Sequence, residues 1–463
     1  MSCRGFDSNA VLRVLPRLNE EINEEWISDK TRYACDGLQA QRLDTPYIRD
    51  AKGKLCAASW GEAFAVIKDK MKNTAPEKVA ALAGDLACVE SMVALKDVME
   101  QLGSDNMDCR TDGAALDTSS RANYLFNTTI EGLEEADVIL LVGTNPRLEA
   151  PLVNARIRKR YLQGGLKVFH IGNETDLTYA AENLGNDPKI LEQIAKGKHP
   201  ARDVIDVAHN PVIILGGGAV ARADGADILE TARFLATHSP IVTKDWNGFN
   251  MLHSAASRVG GLDIGFVPST DNGRDAAAIF DGIANKEIDV LYLLGVDEVD
   301  ANYFKDAFTI YQGHHGDAGA SAADVILPGA AYTEKDATYV NMEGRPQRAY
   351  KAVTAPGQAK EDWRILRALS EELGEVLPYD TIDEIRARVE EIAPHLVEID
   401  EIEAAEWVPS NKVLRGVKID KAPFDDVIEN FYMTDPISRV SKTMAECTRT
   451  VLNKESELKE QAA

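Results

Sequence analysis

The sequence predicts an α/β fold: two doubly wound, mostly parallel sheet subdomains with extended N- and C-terminal arms. Three observations carry this. Five strand-length apolar runs end at glycine or proline: Val138–Gly143, Val168–Gly172, Val212–Gly216, Val290–Gly295 and Val325–Pro328. Their apolarity is continuous rather than alternating, as in strands covered on both faces. Helical patterns lie between most of them, at Ala150–Leu162, Lys189–Ala195 and Gly225–Thr237, and strands alternating with helices build parallel sheets. The length, 463 residues, accommodates two such sheets with a join near residue 200.

Residues 1–50 read as an N-terminal wrapping arm. Val11 to Leu15 alternates and stops at Pro16, which has no ladder donor. Residues 51–200 form the first expected subdomain. It opens with a capping box, Ser59-Trp60-Gly61-Glu62, followed by Phe64, Ile67 and Met71 at helical spacing. Val79 to Ala83 reads as a short buried strand and Glu90 to Gln101 as a helix. Residues 201–375 form the second subdomain. Residues 376–463 form a helix and a peripheral arm. Thr381 and Glu384 make a second capping box, Ile382, Ile385, Val389 and Ile392 share one face, and Pro394 ends the helix. Beyond residue 395 the chain reads as irregular, with a charged end from Asn453.

Composition narrows the function classes. Hydrophobic residues make up 44% and charged residues 27%, as in globular proteins. With 51 Lys and Arg against 75 Asp and Glu, a formal net charge of -24, the chain lacks the basic excess of a nucleic-acid binder. It contains no apolar stretch of about 18 residues and no signal-peptide core near Met1. Its six cysteines, Cys3, Cys35, Cys56, Cys88, Cys109 and Cys447, include no close pair of the kind that binds zinc or iron–sulfur clusters. They read as free thiols.

Open α/β sheets take ligands at the carboxyl ends of their strands, and four turns there are candidates. Gly143-Thr144-Asn145-Pro146-Arg147 is followed by Arg156, Arg158, Lys159 and Arg160. It reads as an anion-binding turn or as an ordinary strand-to-helix turn beside a solvated basic face. Gly216-Gly217-Gly218 lacks dinucleotide-fingerprint spacing, since position 221 is Ala221. Gln312-Gly313-His314-His315-Gly316-Asp317 offers two histidines for metal or proton chemistry, or a buried turn whose rings bond to backbone. The fourth and longest runs from Ala323-Asp324-Val325-Ile326-Leu327-Pro328 through Glu334-Lys335 to Asn341-Met342-Glu343-Gly344-Arg345-Pro346-Gln347.

This last stretch resembles the molybdopterin oxidoreductase family, in which such a strand, loop and turn line a pterin–guanine dinucleotide site. Gly143-Thr144-Asn145-Pro146 resembles a strand-end turn near the same cofactor. A narrower resemblance spans nearly the whole chain. Glu21 to Arg32, Asp36-Gly37-Leu38, Gln41-Arg42-Leu43, Glu134-Glu135-Ala136-Asp137, Tyr311 to Asp317, Pro328 to Lys335, Phe431 to Asp435 and Ile437-Ser438-Arg439 look like the largest iron–sulfur subunit of respiratory complex I, in its mitochondrial or alphaproteobacterial form. The resemblance implies a fold of molybdopterin-oxidoreductase type. It also implies a non-catalytic structural role in the peripheral arm of NADH:ubiquinone oxidoreductase, on the matrix side of the mitochondrial inner membrane or the cytoplasmic side of a bacterial one.

Its partners would be other peripheral-arm subunits, above all a chain carrying the iron–sulfur N-terminal half, with no nucleic acid and no direct membrane span. The cysteine-rich cluster region of that subunit is expected to lie outside this chain, in a partner or a missing N-terminal half. No catalytic, cofactor-binding or metal-ligating residue is expected here. Gly143, Thr144, Asn145, Gly313, His314, Asn341 and Glu343 would mark a vestigial pterin cleft. Asn106 to Cys109 resembles the segment just before the family's metal ligand. The ligand position would fall near Gly113-Ala114-Ala115, which offers no ligating side chain, and Cys109 comes too early. Two other readings remain: an active molybdenum or tungsten pterin oxidoreductase acting on a substrate such as formate, and a retained nucleotide site without metal.

Overall fold

A computed structural model describes residues 2–5, 8–410, 414 and 416–452, with side chains from residue 9 onward. The charged end from Asn453 lies outside the described residues. The chain opens with an antiparallel hairpin of β1 (Ser2–Gly5) and β2 (Ser8–Val14). Then come β3 (Tyr47–Arg49), β4 (Leu55–Ala57), β5 (Val79–Ala83) and β6 (Met107–Asp108). A second set follows: β7 (Val138–Val142), β8 (Lys167–Ile171), β9 (Glu182–Gly185), β10 (Pro211–Leu215) and β11 (Phe249–Met251). The chain then returns through β12 (Val290–Leu294), β13 (Phe308–Gly313) and β14 (Val325–Pro328) and closes a hairpin of β15 (Ala337–Val340) and β16 (Pro346–Ala349).

The strands form two main sheets. A five-stranded parallel sheet has the order β11-β10-β7-β8-β9. A seven-stranded sheet has the order β4-β3-β14-β13-β12-β5-β6, antiparallel only where β3 meets β14 and β4. Every residue of β5, β7, β10 and β12 is buried, which is why these runs are apolar without alternation.

The sheets do not divide at residue 200. The five-stranded sheet, residues 138–251, is inserted between β6 and β12, so the larger sheet draws on residues 47–108 and 290–328. Apolar periodicity reports that a strand is covered, not which strand lies beside it. The first 50 residues are also less peripheral than expected, because β3 joins the larger sheet.

Local signals place the helices well. Ser59 and Glu62 form the expected capping box on helix Trp60–Lys72, and Thr381 and Glu384 do the same for Ile382–Ile392. Helix Val89–Leu102 ends at Gly103, whose φ of +76° suits a residue without Cβ. Among residues expected to be irregular, Pro436–Arg439 and Lys442–Cys447 form short helices.

Candidate functional site

In each main sheet the strand order reverses once. The chain runs outward through β7, β8 and β9, then returns to the other side of β7 with β10 and β11. It does the same with β5 and β6, then β12, β13 and β14. The carboxyl ends of β7 and β10, and those of β5 and β12, therefore bound crevices of the kind in which open α/β sheets hold ligands.

The β7/β10 crevice is lined by Gly143-Thr144-Asn145 and Gly216-Gly217-Gly218. Gly143 has a φ of +54°, a conformation that glycine adopts without Cβ strain. The Glu149 carboxylate sits between the two turns. Its Oε1 accepts from Thr144 Oγ1 at 2.7 Å and from the Asn145 amide at 2.6 Å; its Oε2 accepts from the Gly217 amide at 3.2 Å. Burial, helped by the charge of Asp426, pushes its pKa up, against the pull of these hydrogen bonds. The C-terminal tail covers the rest. Phe424 is 1% exposed, and a Cβ on Gly143 would lie 2.9 Å from its ring. The Asp425 carbonyl and the Val427 side chain press on Gly218 and Gly217. Asn186 bonds to both the amide and the carbonyl of Phe424, at 2.8 and 3.1 Å. Arg222 donates to the Ala422 and Pro423 carbonyls and lies 5.4 Å from the Phe424 ring centroid.

The basic residues expected beside this turn are engaged elsewhere. Arg147 pairs with Asp176. Arg156 and Lys159 share Glu24 and Glu134. Arg160 donates to the Ala136 and Gly164 carbonyls. Arg158 is exposed.

The β5/β12 crevice, absent from the sequence-based candidates, is filled in the same way. Glu298 Oε1 accepts from the Asp85 amide at 2.8 Å and from Thr111 Oγ1 at 3.2 Å; Oε2 accepts from the Asp297 amide at 2.8 Å. Burial and the Asp85 charge raise its pKa. Arg258 donates to Asp112 at 3.0 Å and lies 3.5 Å from Asp85. Asp297 accepts from Tyr311 at 2.6 Å, and burial pushes it up to about 6.

Cys109 is buried, and burial with the Asp108 charge pushes its thiol up to about 12. It is a neutral thiol at physiological pH and a poor metal ligand. Gly113 is exposed, and Asp112 beside it is committed to Arg258. Among the described residues no group of three or more His, Cys, Asp or Glu side chains is arranged to hold a metal ion.

The other candidates knit loops together. His315 Nε2 bonds to the Gly37 carbonyl at 2.9 Å, and Arg42 donates to the His314 carbonyl while forking onto Glu334. Burial lowers both histidines, His315 to about 4. The Gly313 carbonyl accepts from the Gly329 amide. Asn341 donates to Glu343, which accepts from the Ile130 amide at 2.6 Å. These sets occupy the end of β13 and the β15–β16 turn, apart from the Gly143 crevice. Lys335 forms a buried pair with Asp362.

Two nested α/β units, each with a crevice where its strand order reverses, define the class of protein. A family model for molybdopterin oxidoreductase matches residues 42–372, and the chain belongs to that family. Two further models match its ends: the C-terminal region of the NuoG-type component of NADH-ubiquinone oxidoreductase at 401–447, and an NDSU1/NuoG-like 4Fe-4S domain at 4–36. The latter revises the expectation that the iron–sulfur region lies wholly outside this chain, since part of it is here. That stretch holds one cysteine, Cys35, where a four-iron cluster takes four ligands, so its residues do not complete a cluster site.

The chain is 45% identical over 439 residues to the mitochondrial NADH dehydrogenase [ubiquinone] iron-sulfur protein 1 of Solanum tuberosum, covering 95% of this chain and 58% of that protein. It is 44% identical to the NADH-ubiquinone oxidoreductase 75 kDa subunit of Reclinomonas americana, covering 95% and 64%. It is 47% identical to the NuoG-type component of NADH-quinone oxidoreductase from Rickettsia conorii, covering 94% and 63%. The chain thus spans about three fifths of the length of these relatives. Acetylene hydratase from Pelobacter acetylenicus shares the fold at 13% identity and a TM-score of 0.51, covering 78% of this chain and 65% of that one. A chain of the formyltransferase/hydrolase complex of Methylorubrum extorquens does so at 18% and 0.52, covering 71% and 98%.

Proposed function

We propose that the chain is a non-catalytic structural part of the peripheral arm of NADH:ubiquinone oxidoreductase, supporting an iron–sulfur electron-transfer chain carried by its neighbours. The observation that carries this reading is 44–47% identity over 94–95% of the chain to subunits of that enzyme. The site geometry agrees with a scaffold. Glutamates of the chain take the amides of both crevices, the tail covers one of them, and the aligned ligand position near Gly113-Ala114-Ala115 offers no ligating side chain. Those residues do not fit a pterin with a ligated metal.

The clusters belong to a cysteine-rich region in a partner chain or in sequence preceding this one. Its seat is the N-terminal arm. There Leu12, Leu18, Trp26 and Tyr33 are each more than half exposed, within the stretch that the 4Fe-4S domain model matches. No helix among the described residues is long and apolar enough to cross a membrane, and the assembly would hold this chain peripherally, on the matrix or bacterial cytoplasmic side.

The test is affinity isolation of the tagged chain from detergent-solubilised membranes of its own host. Iron–sulfur subunits and NADH:quinone reductase activity should travel with it. Isolation without them, or unchanged NADH:quinone activity in membranes lacking the chain, would sink the proposal.

A further inference from the structure

The two crevices share one donor set. In the first, the Asn145 amide comes from the β7 side, the Gly217 amide from the β10 side, and Thr144 adds a hydroxyl. In the second, the Asp85 amide comes from the β5 side, the Asp297 amide from the β12 side, and Thr111 adds a hydroxyl. In both, two backbone N–H groups and one threonine hydroxyl converge on a single glutamate. One such meeting could follow from loop packing. Its repetition in two sheets built from different strands, each time at the place where the strand order reverses, points to a common role.

Converging amides and hydroxyls with no opposing acceptor select anions. Both oxygens of each glutamate are occupied, and two of the three partners in each crevice are backbone N–H groups, which can only donate. We propose that Glu149 and Glu298 place their carboxyl groups in phosphate-class positions in the two crevices, so that the chain serves as its own ligand. Removing the Glu149 carboxylate then opens a site for a phosphate-class anion between Thr144, Asn145 and Gly217. This rests on the crevices alone and does not depend on the assembly into which the chain fits.

The two crevices differ in the strength of nearby like charge. Asp426 is the smallest of the influences on Glu149, whereas Asp85 is the largest charge acting on Glu298, with Asp112 across Arg258 from it, so a phosphate entering the second crevice would meet the stronger repulsion. The two variants therefore give opposite expectations.

The experiment measures thermal midpoints of the full chain and of Glu149→Ala and Glu298→Ala in inorganic phosphate and in chloride of equal ionic strength. The unsubstituted chain reads the general salt effect. Glu149→Ala should melt lower than the parent in chloride and recover by about 2–4 °C in phosphate beyond the parent's own change. Glu298→Ala should not recover. Folded Glu149→Ala without phosphate-specific recovery overturns the proposal, as does equal recovery by both variants. Should Glu149→Ala not fold, Glu149→Gln decides. It fills the same volume, but its NH2 group cannot accept from an amide, so its midpoint should fall. A parental midpoint in Glu149→Gln would overturn the proposal.

Discussion

Asp85 begins where β5 leaves the sheet, and the residue before it fixes how closely two strand ends approach. A Cβ on Gly84 would overlap the Gly295 carbonyl and crowd Val296. Both are backbone at the end of β12, so no side-chain rotation relieves the clash. Gly84→Ala should therefore cost about 2–3 kcal/mol, read by denaturant unfolding; a cost under about 0.5 kcal/mol would show that the strand ends can part. His315 carries a pH effect of known sign. It is fully buried, and burial holds it near pKa 4, with the Arg42 charge acting in the same direction and Asp435 and Asp317 against it. Its folded pKa lies below the ordinary 6.5, so its contribution is complete above 6.5 and is lost as pH falls toward 4. Full loss is of order 3 kcal/mol. Asp297 and Glu298 are shifted upward and act with the opposite sign, so the informative quantity is a difference. Between about pH 7 and 4.5 the parent should lose more stability than His315→Gln, and parallel pH curves would refute the assignment.

At the scale of elements, the tail segment over the β7/β10 crevice is held by a few groups: Asn186 on Phe424, Arg222 on the Ala422 and Pro423 carbonyls, and Asp224 and Asp227 on the Asp420 and Lys418 amides. Phe424 is its apolar anchor. Phe424→Ala should remove about 3 kcal/mol of packing and let the strap open locally. Hydrogen exchange should quicken at residues 416–427 and stay slow in β7 and β10; uniform quickening would make the strap part of the core instead. Sequence reading located the strands because doubly covered strands are apolar throughout, and located helix ends because Ser59 with Glu62 and Thr381 with Glu384 are local hydrogen-bonding units. It found the Gly143 and Gly216 turns because glycine marks strand ends. It missed the insertion of one sheet within the other, since pairing order leaves no trace in periodicity. Glu149 and Glu298 were invisible for a related reason. Glu149 ends the short helix Pro146–Glu149 and Glu298 lies in a loop, and nothing marks either until folding brings in Gly217, 68 positions from Glu149, or Asp85, 213 from Glu298. The strap looked like irregular tail because its order comes from distant partners such as Arg222 and Asn186.

Over the whole molecule, the two terminal arms tie to the core and to each other. Arg156 reaches Glu24, Arg345 reaches Glu21, Asp36 accepts from Ser441 and Thr443, and Arg439 pairs with Asp317. The arms thus meet each other at Asp36, Ser441 and Thr443, while Trp26 and Tyr33 of the first arm stand exposed. This arrangement bears on cofactor content. The stretch matched by the 4Fe-4S domain model contains Cys35 alone, and burial with the Asp36 charge raises that thiol above its ordinary pKa. A raised thiol binds iron only after losing a proton it holds tightly. Cys88 and Cys109 are buried and raised as well. Elemental analysis of the isolated chain should therefore find iron, molybdenum and tungsten below stoichiometry, and extraction should release no pterin. Iron should appear in proportion only when a polypeptide carrying close cysteine pairs is isolated with it, and should leave with that polypeptide when the two are separated. Stoichiometric molybdenum or tungsten with pterin in the isolated chain would mean that the Phe424 strap over the Glu149 crevice, or the Glu298 crevice, opens to admit a cofactor.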